Sequence, residues 1–279
     1  MDKIISGTLL RNEILYSLKI EIEENNYSPT LAVVFVGDDT ASKVYIKNKV
    51  KACDKVGISS IVINLDKDTS ENELLKTIED LNNDKDINGI LVQLPLPKHM
   101  DEDKVIEAVH PLKDVDCFSS INVGKLHLDK PTFAPCTPLG IVNLLKKYNV
   151  DLSGKDVVVI GRSNIVGKPI AALLLKEDAT VTICHSKTEN LKDFTQKADV
   201  LIVALRKPKF IGKDYVKEGA VVVDVGIHRD ENNKLCGDVD FDDVIDKVSK
   251  ITPVPGGVGP MTIATLLQNC LLAYKIQNK

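Results

Sequence analysis

SKVYIKNKVKAC (42–53) places Tyr45 and Lys49 four residues apart, on one face of a helix. Lys43, Lys47 and Lys51 stand around them, so the bland alternative is a lysine-rich amphipathic helix that produces such pairs by chance. Two other segments raise the functional reading. Gln93 ends the apolar part of GILVQLPLP (89–97), where parallel sheets present ligand-binding groups. Asp114 and Asp116 lie in the loop-rich KDVDCFSS, where the texture of the sequence changes, and a cleft at a domain junction is the default site. A lysine acting as a general base must lose its charge, which means lowering a pKa of about 10.4 by roughly 3 units, or about 4 kcal/mol. Burial and nearby positive charge do this. A glutamine can hold the neutral amine without adding an anion that restores the charge.

A second constellation is the turn in KDVVVIGRSNIVGKPIAALLL (155–175). A strand leads through Gly161 and Gly167 into a helix with Pro169 in its first turn, offering helix amides to an anion such as a pyrophosphate. Ser163 occupies the middle position of Gly-x-Gly-x-x-Gly, so the motif alone is a weak dinucleotide signal, and a plain β–α turn competes with it on even terms. The next strand ends in CHSKT, with His185, Ser186 and Lys187 but no acid to hold a ribose hydroxyl. Arg162 could face a 2′-phosphate, which favours NADP over NAD; its alternative is a solvated surface charge. The Tyr–Lys pair precedes this turn by over a hundred residues, the reverse of the order in short-chain dehydrogenases.

TPVPGGVGPMT (252–262) holds three prolines and three glycines just before a final helical pattern. Proline fixes φ and glycine admits close approach to the backbone, so this ribbon is a rigid corner, the wall of a binding site, or both.

The elements that must position these groups alternate. Helical periodicity over 3–24 is followed by the apolar run LAVVFVG, a helix over 41–55, an alternating strand over 58–65, a helix over 71–82 and a strand over 89–97. After a loop-rich stretch and a helix over 140–147, a second series runs through KDVVVIG, ATVTIC, DVLIVAL, AVVVDVG and the short SKITPV. Strands alternating with helices predict parallel sheets. The expected fold is α/β: two α/β domains with a cleft between them, the second a Rossmann-like parallel sheet. The boundaries are 1–139 and 140–261, with the helix 262–279 packing back on the first domain.

Composition sets limits on function. With 43% hydrophobic residues, 27% charged and a net charge of −4, the 279-residue chain reads as globular, without the basic footprint of a nucleic-acid binder. No apolar run reaches the roughly 18 residues of a membrane span. The first residues, MDKIISGTLLRNEIL, carry charge too early for a secretory signal, so a cytoplasmic protein is expected. The six cysteines and five histidines lack metal-ligand spacing, and no metal is expected.

YIKNK, VQLPLP, KDVDCFSSINVGKL, PCTPLG, GRSNIVGKP, TVTICHSKT, VVVDVGI, GDVDF and TPVPGGVGPMT occur here in the order found in bifunctional methylenetetrahydrofolate dehydrogenase/methenyltetrahydrofolate cyclohydrolases. The chain resembles that family over nearly its whole length. The resemblance implies two reactions in one cleft: oxidation of methylene-tetrahydrofolate with NADP, then hydrolysis of methenyl-tetrahydrofolate to 10-formyl-tetrahydrofolate. It implies Lys49 as general acid/base, Tyr45 against the folate, Gln93 orienting Lys49 and Asp116 on the polar edge of the pterin. Ser42, Pro255, Gly256 and Gly257 would line the folate pocket. Gly161, Arg162, Ser163, Gly167, His185, Ser186 and Ile227 would hold NADP. A homodimer is also implied.

Two positions depart from the family pattern. Cys117 stands where DVDG has glycine, which a small residue tolerates unless φ is positive. Arg206, in VALRKP, stands where glycine usually follows the strand; it either crowds the nicotinamide end of the cofactor or swings into solvent. Two other readings therefore stay open: a cyclohydrolase that has lost hydride transfer, and a non-catalytic nucleotide- or folate-binding protein.

Overall fold

The computed structural model describes residues 3–279, the side chain of Ala41 apart. The chain divides into two compact units, one of Glu13–Cys136 with Ile263–Lys279, the other of the N-terminal residues to Asn12 with Thr137–Thr262.

The first unit is built on a three-stranded parallel sheet. Strand β1 (Thr30–Val36) is central, flanked by β2 (Ser59–Leu65) and β3 (Gly89–Val92). The central strand is covered on both faces, which is why LAVVFV is continuously apolar while the edge strand β2 is half exposed. Leu31, Val33 and Phe35 point to one core with Leu18 and Ile22 of helix α1 (Gly7–Glu24), Ile46 and Cys53 of α2 (Thr40–Val56), and Leu267 and Cys270 of the C-terminal helix, Val258–Gln277. Ala32, Val34 and Val36 face the opposite core with Leu74 and Ile78 of α3 (Glu71–Asn83) and Val105 of α4 (Glu102–Ala108). Local chemistry sets the helix ends. Asp39 caps α2 by accepting from the Ser42 amide, and Gly57 ends it at φ 84°. Ser70 and Glu73 form a reciprocal capping box on α3.

Helices α5 (Ser120–His127) and α6 (Cys136–Lys147) follow. The second unit carries a five-stranded parallel sheet. In chain order its strands are β4 (Asp156–Ile160), β5 (Thr180–Cys184), β6 (Val200–Val203), β7 (Val221–Asp224) and, after a two-stranded antiparallel hairpin of β8 (His228–Arg229) and β9 (Leu235–Cys236), β10 (Lys250–Ile251). The spatial order is β10-β7-β6-β4-β5. Helices α7 (Gly167–Lys176), α8 (Leu191–Thr195) and α9 (Phe241–Val244) connect these strands.

Both sheets reverse direction at their first strand. From β1 the chain passes to β2 on one side and then to β3 on the other; from β4 it passes to β5 and then to β6 on the other side. Each unit therefore has a topological switch point at the carboxyl end of its first strand, where open α/β sheets bind ligands.

The sequence pattern and the structure differ at several ends. The helical pattern over 3–24 becomes a helix only from Gly7; Ile4 instead bridges Ile251, and the Ile5 amide donates to the Ile251 carbonyl. The N-terminal residues thus add to the edge of the five-stranded sheet rather than to the first series. Strand β3 stops at Val92, because Gln93 opens a proline-bounded turn with a cis Leu94–Pro95 bond. Cys53, Cys117, Cys136, Cys184, Cys236 and Cys270 are all free and buried.

Candidate functional site

In the first unit, Lys49 sits on the face of α2 turned to the sheet and is only 8% exposed. Its Nζ donates to Gln93 Oε1 at 3.1 Å. The amide nitrogen of Gln93 donates to the Leu94 carbonyl at 2.7 Å, which fixes which end of the side chain faces the lysine. Tyr45, one turn before Lys49, is 43% exposed, so its ring is open to a ligand, and partial burial raises the pKa of its phenol. Ser42 is buried at the start of the same helix. Lys43, Lys47 and Lys51 point to solvent.

Asp116 completes the cluster. Burial raises the pKa of its carboxyl; Lys49 opposes that rise, Asp114 adds to it, and the Cys136 thiol hydrogen-bonds the carboxyl. An amine, a carboxyl whose pKa burial raises and an exposed phenol together suit proton transfer to a flat polar ligand.

The loop that carries Asp116 is held from below by a network centred on Asp114 and by two further residues, Asn269 and Lys113. Asp114 accepts from the Phe118 and Ser119 amides at 3.1 and 2.9 Å, from Ser119 Oγ at 2.7 Å and from Asn122 Nδ2 at 2.9 Å. Asn269 donates to the Val115 and Ala134 carbonyls from over a hundred residues away. Lys113, buried, donates to the Leu81 and Asp84 carbonyls at the end of α3, and desolvation lowers its pKa. Cys117 has φ 61°, the left-handed region, so the condition on its tolerance is not met; its buried thiol donates to the Phe133 carbonyl at 3.3 Å.

In the second unit, Gly161 ends β4 at φ 137°, and a Cβ there would meet the Ala204 carbonyl oxygen at 2.5 Å. A Cβ on Gly167 would strike the Gly161 carbonyl at 2.2 Å. Both positions require glycine because backbone passes against backbone. Ser163 Oγ accepts from the Val166 and Gly167 amides at 3.2 and 3.4 Å, closing the turn that leads into α7. The Gly161 amide donates to the Cys184 carbonyl, joining this turn to the end of β5, where His185–Thr188 holds no carboxylate. There the His185 amide donates to Thr188 Oγ1, and the Lys187 amide donates to His185 Nδ1. Arg162, Ser186 and Ile227 are exposed at this end of the sheet. A side-chain-poor cradle, the exposed Arg162 and a helix N-terminus fit a dinucleotide phosphate chain.

Pro255, Gly256 and Gly257 belong to this second unit. Gly256 has φ 103° and its carbonyl accepts from the Thr8 amide, while a Cβ on Gly7 would overlap the Gly257 carbonyl. The ribbon is therefore a corner clamped to the start of α1.

Arg206 has φ 61° and an exposed side chain. Its backbone keeps the conformation that glycine would adopt there.

The family models described as "Tetrahydrofolate dehydrogenase/cyclohydrolase, catalytic domain" and "Tetrahydrofolate dehydrogenase/cyclohydrolase, NAD(P)-binding domain" match residues 5–116 and 135–278. The chain is 59% identical over 278 residues to the bifunctional protein FolD of Agathobacter rectalis, covering 99% of this chain and 100% of that protein. Among solved structures it is similar to the bifunctional FolD methylenetetrahydrofolate dehydrogenase/cyclohydrolase of Campylobacter jejuni, at TM-score 0.96 and 49% identity over 98% of each chain. It is also similar to the Trypanosoma brucei methylenetetrahydrofolate dehydrogenase-cyclohydrolase complexed with NADP and an inhibitor, at TM-score 0.94 and 34% identity, covering 99% of this chain and 98% of that one.

Proposed function

The chain belongs to the tetrahydrofolate dehydrogenase/cyclohydrolase family, and from that membership we propose how its residues divide the work of a bifunctional one-carbon enzyme. It oxidises methylene-tetrahydrofolate to methenyl-tetrahydrofolate with NADP and hydrolyses the methenyl compound to 10-formyl-tetrahydrofolate. The observation that carries the assignment of roles is the buried Lys49, held on Gln93 in the field of Asp116.

NADP⁺, when bound, supplies the hydride acceptor for the one-carbon unit. Gly161 and Gly167 leave room for its phosphates, the amides at the start of α7 and Ser163 meet them, and Arg162 with Ser186 faces the 2′-phosphate. The absence of a carboxylate at 185–188 removes the usual partner of a free ribose hydroxyl and supports NADP over NAD. His185 shapes the turn that presents Ser186, and Ile227 offers an apolar surface beside the cofactor.

Loss of hydride with its electron pair leaves the methenyl cation. Lys49 takes a proton from water as it adds to that carbon, then returns one to N5 as the carbon–N5 bond breaks, leaving the formyl group on N10. Gln93 aims the amine. Asp116 accepts hydrogen bonds from the pterin edge, Tyr45 stacks on the folate, and Ser42 lines its pocket. A cyclohydrolase-only reading rests on Arg206, whose exposed side chain and glycine-like backbone weigh against it. The resemblance to the family also supports a cytoplasmic homodimer; among the described residues no helix is long and apolar enough to cross a membrane.

The test is a paired assay of purified protein: reduced nicotinamide from methylene-tetrahydrofolate with NADP⁺ or NAD⁺, and decay of authentic methenyl-tetrahydrofolate. Turnover in both, with NADP⁺ preferred, is expected. Methenyl decay without nicotinamide reduction would leave a cyclohydrolase alone, and silence in both would leave a binding protein.

A further inference from the structure

Behind the dinucleotide turn lie two buried carboxylates that the proposed mechanism does not use. Asp238, fully buried, accepts three consecutive amides: Leu205 at 2.7 Å, Arg206 at 3.2 Å and Lys207 at 2.6 Å. Successive amides converging on one anion form a nest, and a left-handed residue within the turn is what aims them together. That residue is Arg206, at φ 61°. His228 Nε2 lies 2.8 Å from the same carboxylate.

Asp238 is itself held. Asp224, at the end of β7, accepts from the Asp238 amide at 3.0 Å, the Val239 amide at 2.9 Å and the Gly226 amide at 2.9 Å. The Asp224 amide donates to Thr252 Oγ1, at the entrance to the proline–glycine ribbon. Two glycines admit the carboxylates: a Cβ on Gly237 would overlap Asp224, and one on Gly226 would overlap Asp238.

The nest turn begins at Ala204, whose carbonyl is the atom Gly161 packs against. The anchored turn thus forms the floor beside the phosphate-binding turn, at the carboxyl ends of the strands. We propose that Asp238 is a positioning residue for the dinucleotide: it holds the 205–207 turn in its left-handed form against Gly161, so that the cofactor meets a preformed floor although an arginine occupies a glycine-favouring position. The inference rests on the NADP-dependent reading of this site. Asp238 touches neither cofactor nor substrate and acts through the turn.

The experiment compares wild type, Asp238→Asn, Arg206→Gly and the double variant in both reactions, on the full chain. Asparagine keeps the shape but cannot receive three amides and His228 as an anion does. Asp238→Asn should raise KM for NADP⁺ about tenfold while cyclohydrolase kcat/KM stays within about twofold of wild type. Adding Arg206→Gly should recover most of that KM, because glycine adopts the left-handed conformation without the carboxylate. A purely structural role predicts parallel loss of both activities and no rescue. Unchanged KM in Asp238→Asn, equal loss of both activities, or failure of the double variant to recover would each overturn the proposal. If Asp238→Asn does not fold, His228→Ala removes one partner of the carboxylate and should raise KM a fewfold; unchanged KM there overturns it too. A wild-type enzyme that reduced no NADP⁺ would sink the functional reading itself, before any variant was made.

Discussion

Lys49 and Gln93 face each other at 3.1 Å, and the glutamine is committed by its other end to the Leu94 carbonyl. The lysine therefore meets an oxygen whose position the backbone fixes. Replacing Lys49 with methionine keeps the length and removes the amine; cyclohydrolase kcat should fall roughly 10²–10⁴-fold, the usual worth of a positioned acid/base. Folate binding should change far less. Equal losses in turnover and binding, measured by kinetics and titration calorimetry, would remove Lys49 from the proton-transfer role. Gln93→Leu should give a smaller loss of the same kind.

Gly161 and the Ala204 carbonyl cannot accommodate a methyl group between them. Gly161→Ala at φ 137° should destabilise the nucleotide unit by on the order of 1–3 kcal/mol and weaken NADP⁺ binding. Cyclohydrolase turnover below the new melting temperature should survive. Wild-type affinity for NADP⁺ in this variant would show that the turn does not cradle the cofactor.

Cys117 and Arg206 share a φ of 61° yet should respond oppositely to glycine. A left-handed residue bears about 1–2 kcal/mol of strain. Glycine relieves that strain but adds about 0.4–1 kcal/mol of unfolded-state freedom. Arg206 is exposed, so Arg206→Gly should be neutral to stabilising by up to about 1 kcal/mol. Cys117→Gly also removes a buried thiol and its hydrogen bond to Phe133, so it should destabilise. Denaturant unfolding of the two variants tests the difference in sign.

Asp224 is pulled in two directions. Burial pushes its carboxyl up to about 6, against the three amides that favour the anion. A carboxyl with a raised folded pKa binds its proton more tightly in the folded than in the unfolded chain. Its contribution to stability therefore declines as pH rises from about 4 to about 6, then stays level. Carbon-detected NMR of the side-chain carboxyl should show the midpoint near 6; a midpoint below 4 would mean the amides win.

The alternation of apolar runs with helical periodicity made the parallel sheets legible, because β1 and β4 are covered on both faces and leave unbroken apolar strings. Tyr45 and Lys49 could be placed on one helical face by spacing alone, and Gln93 by its place at a strand end. Other features depended on contacts between distant segments. Nothing near Asn269 announces that it holds the Val115 and Ala134 carbonyls, and nothing in VALRKP announces Asp238. Residues 3–5 read as helix because periodicity cannot see the Ile251 backbone they pair with.

All six thiols lie inside the fold, and desolvation raises the pKa of Cys53, Cys117, Cys136, Cys184, Cys236 and Cys270. They are distributed over both units, so the native protein should be nearly mute to alkylating reagents. Each unit would then report its own opening as its cysteines become labelled, and mass spectrometry would turn the pattern of labels into a clock for which half of the molecule breathes first.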